Sequence, residues 1–311
     1  MPTTPDGRHL PDLPPGVEPG GRFDQWAGSA PRLAVFDVDG TLLGRTAEPT
    51  RAVIEAFARA RDAGMRTGFA TGRIRHAIGV LSDRLSPTGP NIVSNGAAVV
   101  DLDGADATWP LSADQVDRLL DLVRHRDDAY AEICAVDDYL VSSWDERAAG
   151  HWDMVGQHPV GTLDRAADLG DRVVLKVTLV TFDRHEEALA SLSQAVVDAG
   201  MRAGTSSSPR TPDLGYLNVT HPDADKGQAV AHAIDRVGID PSATMVVGDE
   251  DNDLPMFAHA GTAVAMGQAD DAVRRAAHLV VPDVDHDGAA VALDLAVDWL
   301  RAEGQESRRT V

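Results

Sequence analysis

Two acidic runs carry the chemistry open to this chain. One is Asp37-Val38-Asp39-Gly40-Thr41-Leu42, the other Gly248-Asp249-Glu250-Asp251-Asn252-Asp253. Each follows a short apolar run, Leu33-Ala34-Val35-Phe36 or Thr244-Met245-Val246-Val247, that reads as a buried parallel strand. In an open parallel sheet, ligands bind at the carboxyl ends of the strands. Both runs are therefore expected on one rim, joined by Thr71-Gly72-Arg73 after a strand from Met65 to Ala70. Carboxylates that converge repel unless a cation lies between them, and hard oxygen ligands suit Mg2+. Taken alone, Asp37-x-Asp39-Gly40 is also an ordinary turn. Calcium-loop spacing fails in both runs: Leu42 and Leu254 stand where the sharp-turn glycine belongs.

Lysine usage sharpens this. The chain has only two lysines, Lys176 and Lys226, among 28 basic residues. A compact ammonium acts on phosphate as a point charge, which the arginine fork does not reproduce. Lys226 opens a helix, where a cation opposes the macrodipole, and that misfit points to a functional role. Lys176 lies in a β-rich run and reads as structural. Cys134, the single cysteine, can form no internal disulfide and reads as a small buried hydrophobe.

The elements that must position these residues alternate as βαβ units. Helices are expected at 50–63, stopped by Gly64, at about 73–85, at 225–237, stopped by Gly238, at 270–277 and at 287–302. Asn91 to Val100 reads as strand, turn, strand, and short strands are expected at 262–266 and 278–281. The middle changes character: a helix at 112–125, strands at 130–143, a β-rich run at 172–182, a helix at 184–199 and two strands at 201–220. The fold class is α/β, a Rossmann-like, doubly wound, mostly parallel sheet carrying an inserted α+β domain. The domain reading is a flexible arm over 1–30, a discontinuous core of 31–101 and 216–303, an insert over 102–215 and a polar tail over 304–311.

The formal net charge is −21, from 49 acidic and 28 basic residues in 311. A surface so acidic repels phosphate backbones and anionic bilayers, so neither nucleic acid nor membrane is an expected partner. No apolar run reaches the length of a membrane helix, and the N-terminus lacks the apolar region of a signal peptide. The cytoplasm is the expected compartment.

In order along the chain, Asp37-Val38-Asp39-Gly40-Thr41, Thr71-Gly72-Arg73, Lys226-Gly227 and Gly248-Asp249-x-x-Asn252-Asp253 resemble the four motifs of the haloacid dehalogenase superfamily. Asn95-Gly96-Ala97 and Asp287-Gly288 look like features of its Cof-type phosphatase branch, and the resemblance spans about 32–302. The insert lies between the Thr71 and Lys226 motifs, which in this superfamily implies a type IIB cap. The resemblance implies that Asp37 is the nucleophile and Asp39 the general acid and base. It implies phosphate contacts from Thr71, Gly72, Lys226 and Asn252. Mg2+ would be held by Asp37, Asp249 and the Asp39 carbonyl, with Asp253 orienting metal-bound water. The implied activity is Mg2+-dependent hydrolysis of a small phosphorylated metabolite, a sugar phosphate foremost, by a monomer or homodimer. A phosphomutase of the same chemistry, or a non-catalytic ligand-binding relative, is the alternative. Two departures stand out: Asp225 precedes Lys226, and His286 lies within Asp285-His286-Asp287-Gly288. Asn95, Trp144, His151, Trp152 and Arg210 are candidates for substrate contact, although Asn-Gly is also a tight turn and the aromatics also suit the core of the insert.

Overall fold

The computed structural model describes residues 13–46, 48–101, 104–155, 157–182, 186–206 and 211–309. Arg210, the first twelve residues of the expected arm and the last two of the expected tail lie outside them. The chain divides into two compact units. The first combines the chain up to Thr71 with Val80–Gly104 and everything from Asp225 onward; the second combines Gly72–Gly79 with Ala105–Ala224.

The first unit is built on a six-stranded sheet in the order Glu18–Pro19, Leu279–Val280, Thr262–Ala265, Thr244–Gly248, Leu33–Phe36, Arg66–Phe69. Every neighbouring pair is parallel except the first, which is antiparallel. Continuous apolar runs form the central strands because no position on them faces water: Leu33, Val35, Phe36, Met245, Val246 and Val247 are fully buried. Each such side chain contributes roughly 1.5–3 kcal/mol by leaving water. The register sets Phe36 beside Val247, so the two acidic runs leave the carboxyl ends of adjacent strands.

Helix Arg51–Asp62 starts where Thr50 accepts a hydrogen bond from the Val53 amide, and Gly64 follows with φ +79°. Helix Lys226–Val237 is capped by Asp225 and ends at Gly238 in the left-handed region, φ +67°. The last helix, Gly288–Arg309, packs on Arg51–Asp62. It continues well beyond 302, through Gly304, and takes in most of the expected polar tail; no proline interrupts 303–309. The helix expected from 73 is a 3-10 turn, His76–Ile78, leading into a short helix, Gly79–Leu85.

The described part of the expected arm is ordered. Glu18–Pro19 adds an edge strand beside Leu279–Val280. Trp26 is 1% exposed, stacked on His278 and edge-on to Trp299, and its indole N–H donates to Thr262 Oγ1 at 3.0 Å. Pro and Gly are frequent in this stretch, but Trp26 and the paired Glu18–Pro19 strand anchor it.

The second unit is an antiparallel five-stranded sheet in the order Arg202–Ser206, Leu214–Thr220, Lys176–Phe182, Ala129–Cys134, Tyr139–Val141. Alternation along the strands produces two faces. Ala131, Ile133, Val177, Leu179, Leu217 and Val219 form one core with residues of helices Ala113–Val123 and Glu186–Asp198. Tyr130, Val180, Phe182 and Tyr216 form the other, with Trp152 and Ile74. The chain is thus α/β, with a mostly parallel, Rossmann-like sheet and an α+β insert. No described helix is long and apolar enough to cross a membrane.

Candidate active site

Asp37 is the first residue after Leu33–Phe36, and its amide donates to Val247 O at 2.9 Å, which extends the sheet by one residue. Asp249 follows Thr244–Gly248 on the adjacent strand. Asp253 lies in the next turn, fully buried, and its Oδ2 accepts the amides of Asp249 at 2.9 Å and Glu250 at 3.1 Å. Gly248 permits that fold-back, since a Cβ there would collide with the Asp253 carboxylate. Carboxylate oxygens of Asp37, Asp249 and Asp253 all lie within 4.8 Å of one another.

Lys226, 2% exposed, enters from the first turn of its helix. Its Nζ donates to Asp37 Oδ1 at 2.6 Å, Asp253 Oδ1 at 2.6 Å and Asn252 Oδ1 at 3.3 Å. Asp225, although adjacent in sequence, does not compete for this ammonium: its carboxylate accepts from the Gln228 amide at 2.8 Å as the helix N-cap. Gly96, with φ +92°, packs its Cα directly on the Asp225–Lys226 peptide, where a Cβ would overlap the backbone. Asn95-Gly96 therefore shapes the turn that buttresses Lys226.

Asp249 is held on both oxygens. Thr41 Oγ1 donates to Oδ1 at 2.9 Å, and Gln268 Nε2 lies 3.3 Å from Oδ2. Burial pushes the Asp249 carboxyl up to about 7 against the Thr41 hydrogen bond, with the Asp253 charge adding to the rise. Burial likewise holds Asp37 well above the usual carboxylate range; the Lys226 ammonium opposes this, and Asp253 and Asp249 reinforce it. Burial alone would depress Lys226, but Asp253 and Asp37 raise it above the ordinary lysine value. One buried ammonium thus contacts two of the three clustered carboxylates. The residual negative charge and the hard oxygen donors fit a divalent cation such as Mg2+.

The other expected residues are placed as follows. Asp39 is exposed, in the turn between Asp37 and Thr41. Thr71, 1% exposed, continues the strand Arg66–Phe69; its amide donates to Ile92 O, and its carbonyl accepts the Asn95 amide. Gly72 falls in the second unit, where its carbonyl accepts from Lys176 Nζ at 2.9 Å. His151 and Trp152 are buried around Glu132, and Trp144 is 55% exposed with its ring edge-on to Trp152. His286 bonds Asp283 at 2.7 Å, while Asp287 accepts from Thr50 Oγ1 at 2.6 Å, tying the last helix to the start of Arg51–Asp62. One site residue, Gln268, carries no signal in the sequence. It is a neutral amide in a loop, and only the tertiary structure brings it to Asp249.

The sequence pattern of the haloacid dehalogenase-like hydrolase family matches residues 34–293. The pyridoxal phosphate phosphatase YbhA of Escherichia coli is 28% identical over 83% of this chain and 96% of its own length. The 5-amino-6-(5-phospho-D-ribitylamino)uracil phosphatase YwtE of Bacillus subtilis is 25% identical over 85% of this chain and 97% of its own. Among solved structures, the subclass IIB sugar phosphatase BT4131 superposes with a TM-score of 0.70 at 24% identity, covering 85% of this chain and 98% of that one. With a match across most of its length and relatives that are phosphatases, the chain belongs to the haloacid dehalogenase-like hydrolase family.

Proposed function

We propose that this protein is a Mg2+-dependent phosphatase that hydrolyses a small phosphorylated metabolite through an aspartyl-phosphate on Asp37. The observation that carries the reading is the buried Lys226 ammonium shared between Asp37 and Asp253, with the half-buried Asp249 beside them at the ends of adjacent parallel strands. Mg2+, held by Asp37, Asp249 and the Asp39 carbonyl with Asp253 supporting, would supply charge neutralisation at the phosphoryl oxygens.

The remaining work falls to the chain itself. A carboxylate oxygen of Asp37 attacks phosphorus, the P–O bond to the leaving group breaks, and Asp39 gives the departing alkoxide a proton. Asp39 then takes a proton from water; that water attacks phosphorus and the P–O bond to Asp37 breaks, leaving inorganic phosphate and the original carboxylate. The exposure of Asp39 suits a group that must meet both leaving group and water. Lys226 opposes the burial that favours protonation of Asp37 and neutralises charge on the transferring group. Thr71, Asn252 and the Gly72 backbone hold the phosphoryl oxygens, and the insert serves as the cap that selects the rest of the substrate.

The named substrates of the E. coli and B. subtilis relatives differ in all but the phosphate ester on a small organic molecule, and that ester is the class proposed here, sugar phosphates included. The proposed setting is the cytoplasm, with the protein acting as monomer or homodimer. The test is release of inorganic phosphate from p-nitrophenyl phosphate, pyridoxal phosphate and a panel of sugar phosphates, each with Mg2+ and with EDTA. Turnover that needs Mg2+ supports the reading; turnover equal in EDTA contradicts it.

A further inference from the structure

We propose that Gln268 is a positioning residue for the divalent cation: it fixes the Asp249 carboxylate and the Gly40 carbonyl together, and so sets how tightly the metal binds. The inference rests on the metal reading above.

Gln268 follows Thr262–Ala265, the third of three adjacent parallel strands whose carboxyl ends carry Asp37, Asp249 and this loop. The loop itself is pinned: Met266 N donates to Gly248 O at 3.0 Å and Ala269 N to Met266 O at 3.0 Å. Although Gln268 is exposed, its amide makes three contacts. Oε1 accepts from Val284 N at 3.1 Å; Nε2 donates to Gly40 O at 2.6 Å and lies 3.3 Å from Asp249 Oδ2. The orientation is chemically determined. A backbone N–H can only donate, so Val284 must face the oxygen, and the NH2 then meets two acceptors.

Each contact has a consequence for the metal. Asp249 Oδ1 is already engaged by Thr41, so Gln268 on Oδ2 leaves the carboxylate one rotational setting. Gly40, with φ +90°, lies so close to Asp249 that a Cβ would overlap its carboxylate. Holding the Gly40 carbonyl fixes the turn that carries Asp39 on one side and Thr41 on the other. One neutral side chain therefore sets both strand-end turns in register, as outer partners of metal ligands do elsewhere, where their loss costs about 10–100-fold in affinity.

The test is direct Mn2+ binding to the full-length protein, read from the loss of the free-ion EPR signal, without substrate. Wild type, Gln268→Ala, the length-preserving Gln268→Met and Asp249→Asn are compared, each with a metal-free melting curve. The expected result is a Kd raised about tenfold or more in both Gln268 variants. Their metal-free melting temperature should stay within about 2 °C of wild type, since an exposed side chain is being changed. Wild-type Kd in both Gln268 variants overturns the inference alone, as does a lowered melting temperature with Kd unchanged, which marks a merely structural loop contact. Mn2+ binding that is absent from wild type, or unaffected by Asp249→Asn, overturns the metal reading and this inference with it.

Discussion

Lys226 Nζ lies 2.6 Å from Asp37 Oδ1, although the ammonium comes from the first turn of a helix, where the macrodipole opposes a cation. The same Nζ is 2.6 Å from Asp253 Oδ1. Two buried carboxylates outweigh the dipole, and the helix start becomes the support for the candidate nucleophile.

Replacing Lys226 by Met leaves Asp37 and Asp253 buried without their cation. The metal-free protein should lose roughly 3–5 kcal/mol, the cost of breaking a buried pair from one side. Urea unfolding in EDTA measures this. Turnover should fall by at least about 100-fold, because a fixed positive charge at the phosphoryl group is removed.

Two glycines with positive φ make a matched comparison. Gly40→Ala places a methyl group on the Asp249 carboxylate, while Gly64→Ala, at φ +79°, meets nothing within 4 Å. Both should cost about 1–2 kcal/mol of backbone strain. Only Gly40→Ala should also depress turnover, by about tenfold or more. Steady-state rates at fixed Mg2+, beside melting curves, separate the two effects.

His278 is buried, stacked on Trp26, and its Nδ1 accepts the Ala263 amide at 2.9 Å. Burial, reinforced by the Arg22 charge, lowers its pKa from 6.5 to about 4. The unfolded chain therefore takes up a proton below about pH 6.5 that the folded chain refuses until about pH 4, so stability falls as pH drops through that window. Urea midpoints from pH 7.5 to 4 should decline more steeply in wild type than in His278→Gln. A ring titration midpoint near 6.5 by NMR would contradict the assignment.

In the second unit, Glu132 gathers Tyr130 Oη at 2.8 Å, Trp152 Nε1 at 3.1 Å and His151 Nε2 at 3.3 Å. Burial works to raise this carboxyl, but His151, Tyr130 and Trp152 together hold it below the glutamate value of 4.5. A depressed carboxyl stabilises the fold above pH 4.5 and loses that contribution as pH falls through the lowered value. Glu132→Ala should cost roughly 3–5 kcal/mol at pH 7, since three buried donors lose their acceptor. The difference from wild type should narrow in acid, which chemical unfolding at pH 7 and pH 3 would reveal.

Much of the site is legible in the amino-acid sequence alone. The apolar runs ending at Phe36 and Val247 mark buried strands, and a lysine spared in an arginine-rich chain marks Lys226. The neighbour relation of those two strands is not legible there, because strand order depends on contacts between distant segments. Trp26 is hidden by its Pro and Gly surroundings, since a single anchoring aromatic leaves no periodicity. Gln268 is silent in the sequence because a neutral amide in a loop acquires meaning only from Val284, Gly40 and Asp249 around it.

The central claim is covalent chemistry at Asp37. The most direct test is a single turnover with a 32P-labelled phosphate ester and Mg2+, quenched in acid and mapped by peptide. The account predicts a transient, hydroxylamine-labile label on the peptide containing Asp37, absent from Asp37→Asn. Phosphate release at the wild-type rate from Asp37→Asn, or label carried on a different residue, would contradict it.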